Sequence, residues 1–204
     1  LTYSVIAHAE HPLVVGGSVV ESYRRISEAL LVGLRGLGVD AALTPATNDE
    51  RRTMKGERGL GAQEALGPAS SRSPFALRAL SAACFDMPAS YELTVGGRKL
   101  VGSSQTRKAG VLLQHGAIPL SPHADRLAAL LTDPPDDLGY KMIALDQALG
   151  RRVDFAELAD ALMGGFAEAW NVAFVLDTLT AEEHATEQRL REEKYATEHW
   201  TYVR

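Results

Sequence analysis

Apolar residues recur at every second position at the start of the chain, as Leu1, Tyr3, Val5 and Ala7, a period of two that predicts a half-buried strand. A turn over Pro12 to Gly17 follows. Ser18 with Glu21 three residues on is a capping-box signature, and it opens a helix whose Tyr23, Ile26, Leu30, Leu34 and Leu37 share one stripe. Gly36 and Gly38 predict its end, and Val39–Leu43 reads as a short strand. Tyr91–Val95 alternates apolar and polar residues, Gly96-Gly97 supplies a two-residue turn, and Arg98–Ser103 returns, which predicts a hairpin. Ala109–Ile118 is a further strand candidate, read as buried. Asp125–Leu131 predicts a short helix. Asp154 with Glu157 caps a longer one, placing Phe155, Leu158, Leu162, Met163, Phe166 and Trp170 on a single face, and Thr180 with Glu183 caps the last.

Helices that interrupt hairpin-connected strands point to the α+β class, with a mixed, largely antiparallel sheet flanked by helices, rather than a doubly wound parallel sheet. The whole of 1–204 reads as one domain without internal repeats. It opens at Leu1, inside the first strand pattern, and so reads as an N-terminally truncated fragment cut within a sheet. Residues 46–74 mix charge, glycine and serine with few large apolar side chains, and are expected to form a mobile loop. There Arg51, Arg52, Lys55 and Arg58 alternate with Asp49, Glu50 and Glu57, the pattern of a solvated insertion rather than a basic patch. Gly56, Gly59 and Gly61 do not match a phosphate-loop spacing.

Composition narrows the function classes. Hydrophobic residues make up 46% and charged residues 23% of the chain, a balance that favours a globular fold over disorder. A net charge of -5 gives no general attraction to nucleic acid or to an anionic membrane surface. No apolar run reaches spanning length, and the first residues lack a basic segment followed by an apolar stretch, so a cytoplasmic location is expected. His8, Glu10 and His11 cluster in a predicted loop while the other histidines are scattered, so neither a metal nor another cofactor is expected. Glu182, Glu183, Glu187, Arg189, Arg191, Glu192, Glu193 and Lys194 mark the last helix as a solvated face.

Cys84 is the one cysteine, which excludes an internal disulfide and a cysteine-rich metal site. Two uses remain for it: a small buried hydrophobe, or a reactive thiol held beside positive charge. The predicted hairpin places Lys99 opposite Thr94, on the polar face shared with Glu92. Seven residues from Cys84 to Tyr91 can extend about 23–25 Å, while Tyr91 to Thr94 covers only about 10 Å of strand, so the thiol can reach Lys99. An ammonium within about 4–6 Å lowers a thiol's pKa and raises its thiolate fraction at neutral pH. An exposed Lys99–Glu92 ion pair contributing little is the alternative use of the same face. Gly96, Gly97, Gly102, Ser103 and Ser104 either let a substrate approach the backbone or bend a twisted sheet.

The run Ala83-Cys84-Phe85-Asp86-Met87-Pro88-Ala89-Ser90-Tyr91-Glu92-Leu93, followed by 97–107 (Gly-Arg-Lys-Leu-Val-Gly-Ser-Ser-Gln-Thr-Arg) and by Gly110-Val111-Leu112-Leu113-Gln114-His115-Gly116, resembles the biotin/lipoate ligase and transferase superfamily. Within that superfamily it is most similar to the Gram-positive type of octanoyltransferase. Leu1–Ile6 with Tyr23–Leu37 resembles the family's strand and following helix, and Glu193-Lys194-Tyr195 with Trp200 resembles its C-terminal signature. The resemblance implies octanoyl transfer from acyl carrier protein to a lysine of a lipoyl-domain protein, such as the glycine cleavage H protein or a 2-oxoacid dehydrogenase E2. By the same resemblance Cys84 carries the acyl group as a thioester and Lys99 depresses its pKa, while Gly102, Ser103, Gln105, His115 and Gly116 line the acyl and carbonyl end of a pocket. A satisfied histidine within a buried strand is the other reading of His115. Two departures are visible: the family's Arg-Arg and paired-glycine loop would precede Leu1, and Ser104 stands where alanine is usual. The alternatives are an ATP-dependent lipoate ligase, which needs no cysteine at 84, an octanoyl amidotransferase acting between lipoyl proteins, and a non-catalytic module that binds lipoyl domains.

Overall fold

The computed structural model describes residues 1–13, 18–46, 90–131, 134 and 136–202. Residues 46–74, expected as a loop, fall outside the described residues from 47 onward, as does Cys84. The chain divides into two compact units, Leu1–Val172 and Ala173–Arg204.

In the first unit, strand β1 (Thr2–His8) has the expected alternation, with Tyr3, Val5 and Ala7 turned inward against the core. Helix α1 (Val19–Gly36) begins where Ser18 Oγ accepts the backbone N–H of Glu21 at 3.1 Å. Only this half of the predicted capping box forms, because the Glu21 carboxylate is taken by Arg24 at 2.6 Å and by Arg25 at 3.1 Å. Its Ile26, Leu30 and Leu34 are wholly buried, as the stripe requires, and Gly38 at φ +92 turns the chain away. The expected strand at 39–43 contracts to β2 (Ala42–Leu43), with the Ala41 carbonyl accepting from Arg35 at 3.0 Å.

Two hairpins follow. Strands β3 (Leu93–Val95) and β4 (Arg98–Lys99) are joined by Gly96 and Gly97 at φ 56 and 77, a turn that admits glycine readily. Strands β5 (Gly102–Lys108) and β6 (Val111–Ala117) are joined by Ala109 and Gly110 at φ 50 and 76. That second turn corrects the strand expected from Ala109: a residue with positive φ leaves the ladder, so the strand starts at Val111. One antiparallel sheet has the order β1-β6-β5 and the other β2-β3-β4. The α+β expectation with antiparallel sheets holds.

Short helices α2 (Ala124–Ala128), α3 (Leu138–Lys141) and α4 (Leu145–Leu149) lead to α5 (Phe155–Trp170), where Asp154 Oδ1 accepts the Glu157 N–H at 2.9 Å. Leu158, Leu162 and Phe166 are buried there as expected. Phe155, in the first turn, is 61% exposed, and Met163 sits at the rim of the stripe, so the predicted six-residue face is narrower than its sequence. Helices α1 and α5 pack closely, and Ile26, Leu30, Leu34, Leu158, Leu162 and Phe166 join Leu100, Val101, Leu112 and Ile118 in one core.

The second unit contains α6 (Ala181–Leu190), a π-helical turn (Arg191–Tyr195) and α7 (Glu198–Tyr202), and it buries none of these residues. Thr180 and Glu183 form the complete capping box predicted for α6. The Lys194 ammonium stands 4.9 Å from the ring centres of both Tyr195 and Trp200, which meet edge to face. No described helix is long and apolar enough to cross a membrane.

Candidate active site

The glycine turn fixes the register Thr94↔Lys99 and Val95↔Arg98 that the sequence predicts. From that register Glu92 lies diagonally across from Lys99, and Lys99 Nζ donates to Glu92 Oε1 at 2.6 Å. The exposed pair weighed from sequence is instead buried, at 4% and 5% side-chain exposure. Its burial follows from the backbone on either side. Thr44 donates its N–H to the Glu92 carbonyl and accepts the Glu92 N–H on Oγ1, both at 2.9 Å. Ile143 donates its N–H to the Lys99 carbonyl at 3.0 Å, so the β4 strand is held between β3 and residues 142–143. Charges taken this far out of water lose several kcal/mol of hydration each, and only a close partner with good geometry offsets the loss.

Immediately beyond Lys99 the chain enters the second sheet, whose pairing sorts the predicted pocket residues by face. Ser103 pairs with Gly116 and Gly116 with Tyr3, while Gln105 pairs with Gln114 and Gln114 with Val5, all on the face covered by α1. On the other face Ser104 pairs with His115 and His115 with Ser4. Gly102, paired with Ala117, shares the parity of His115. His115 is exposed, so it is neither a satisfied histidine in a buried strand nor on the same face as Ser103, Gln105 and Gly116.

The inward face carries a connected polar chain. Tyr3 Oη lies 2.6 Å from Ser103 Oγ, Gln114 Nε2 donates to Tyr3 Oη at 3.3 Å, and Gln105 Nε2 donates to Gln114 Oε1 at 2.9 Å. Ser22 Oγ of α1 reaches Gln105 Oε1 at 3.1 Å, and Arg107 donates to Ser22 Oγ at 2.8 Å and to the Ser18 carbonyl at 2.9 Å. A Cβ on Gly116 would stand 2.6 Å from both the Gly102 carbonyl oxygen and a Tyr3 ring carbon, so glycine is required for the strands and the ring to meet. Burial pushes the Tyr3 phenol above its ordinary pKa, which hydrogen bonds to Gln114 and Ser103 partly offset. Burial pushes Tyr23 up further, and the Glu92 carboxylate and Tyr3 add to that against a hydrogen bond to Ser103.

Of the residues proposed from sequence, the structure therefore brings Ser103, Gln105 and Gly116 together inside the sheet and sets His115 and Gly102 on its other parity. It places Lys99 in the other sheet, on β4, with β5 beginning at Gly102. Glu92, Tyr3, Tyr23 and Gln114 were not singled out as site residues. Tyr3 and Tyr23 fitted the apolar patterns of a strand and a helix, whereas Gln114 carried a readable signal, a polar residue sharing the inward parity of Leu112 and Gly116. No group of three or more potential metal ligands occurs among the described residues.

Residues 1–167 match the family model for the lipoyl protein ligase A/B catalytic domain. The chain is 38% identical to the octanoyltransferase LipM of Moorella thermoacetica, covering 98% of this chain and 66% of that protein. It is 37% identical to the octanoyltransferase LipM of Geobacillus kaustophilus, covering 100% of this chain and 68% of that protein. The chain thus spans about two thirds of the length of these curated relatives. Among solved structures, lipoate-protein ligase A bound with ATP superposes with a TM-score of 0.67 at 22% identity, covering 98% of this chain and 63% of that one, which shows a shared fold. The match over residues 1–167, together with the two relatives, establishes that the chain belongs to the lipoyl protein ligase A/B catalytic domain family.

Proposed function

We propose that the chain carries the catalytic domain of an octanoyltransferase, which moves the acyl group of octanoyl acyl carrier protein to a lysine of a lipoyl-domain protein through a thioester on Cys84, in the cytoplasm. The observation that carries this reading is identity of 38% and 37%, over nearly the whole chain, to proteins named as octanoyltransferases. The buried ammonium of Lys99 supplies its chemistry. In the first half-reaction the Cys84 thiolate attacks the donor thioester carbonyl, the new carbon–sulfur bond forms, and the carrier's thiolate leaves. In the second, the neutral amine of the acceptor lysine attacks the enzyme thioester, an amide forms, Cys84 leaves as thiolate, and the amine's extra proton passes to solvent. A thioester is already activated, so no nucleotide is needed, and two modest barriers replace one high one. Lys99 favours both steps in the same way, by stabilising sulfur's negative charge when Cys84 is nucleophile and again when it is leaving group.

The test is incubation of the full-length protein with octanoyl acyl carrier protein, followed by mass analysis of Cys84. A hydroxylamine-labile octanoyl adduct that is chased onto a lipoyl domain is expected. An unmodified Cys84 alongside ATP-dependent acylation of the acceptor would assign the protein to the ligases.

A further inference from the structure

We draw no further inference here: the strongest candidate, the groove of the second unit along α6 and the π-helical turn, lined by Leu179, Leu190 and Tyr195 with Glu182, Glu183 and Glu187, carries none because nothing in the structure shows what covers it.

Discussion

Gly33 of α1 and Gly165 of α5 meet backbone to backbone, so that a Cβ on Gly165 would stand 2.3 Å from the Gly33 nitrogen and one on Gly33 would stand 2.6 Å from the Ala161 carbonyl oxygen. The obstructing atoms are main chain, which cannot swing aside. Gly165→Ala is therefore expected to push the helices apart and destabilise the fold by about 1–3 kcal/mol or more, measured by urea unfolding. Gly164→Ala, one residue away with open space around its Cβ, is the control and should be neutral or slightly stabilising.

Lys99→Ala leaves Glu92 buried without its cation, and removing one partner of a buried pair costs about 3–5 kcal/mol. Lys99→Met with Glu92→Leu, which removes both charges and keeps the volume, should recover much of that loss while remaining inactive. The chemical readout is alkylation of Cys84 across pH. Its midpoint should rise in Lys99→Ala, and an unchanged profile would show that Lys99 does not act on the thiol.

The two buried tyrosines predict an alkaline limb of stability. Their folded-state pKa values are raised from the ordinary value of 10.0, so the folded protein holds protons that the unfolded chain releases. Their stabilising contribution is complete below pH 10.0 and is lost as pH climbs beyond it toward the folded-state values. Unfolding free energy should thus fall on titration above that pH, and Tyr23→Phe should flatten the slope.

The two faces of the β1-β6-β5 sheet predict opposite behaviour for neighbouring residues. Gln114→Ala leaves the Gln105 Nε2 donor without its Gln114 acceptor and takes one of the two partners from the Tyr3 hydroxyl, and is expected to destabilise by about 1–3 kcal/mol. His115→Ala, on the exposed face, should stay within about 0.5 kcal/mol of wild type, so any loss of transfer activity in that variant reports on the site.

Ala109 occupies a left-handed conformation at φ 50 beside Gly110, a turn in which Asn is the favoured first residue. Ala109→Asn is expected to raise stability by about 0.5–1 kcal/mol, read from the denaturation midpoint.

Much of this architecture can be read along the chain because its signals are local. Ser18, Asp154 and Thr180 announce helices through side chains that cap within three residues, and Gly96-Gly97 fixes a register that places Lys99 and Glu92 on one face. What could not be read depends on contacts distant in sequence. The burial of Lys99 is set by Thr44 and Ile143, neither adjacent to it, and the narrowing of the α5 face is set by where α1 crosses it. The assignment of Ser103 and His115 to opposite parities was available from strand alternation once the turn at Ala109-Gly110 was known. Their grouping into one pocket came from the family resemblance, which names positions without saying which way each one faces.

The parity of β5 also dictates where the chain tolerates length changes. One residue inserted between Gly102 and Lys108 would rotate everything downstream by half a pleat, ejecting Gln105 and Arg107 into water and burying Ser104 and Thr106 in their stead. The same insertion at the 109–110 bend would only widen a loop. Relatives that keep this sheet should accordingly vary in length at that bend and hold the seven residues before it constant.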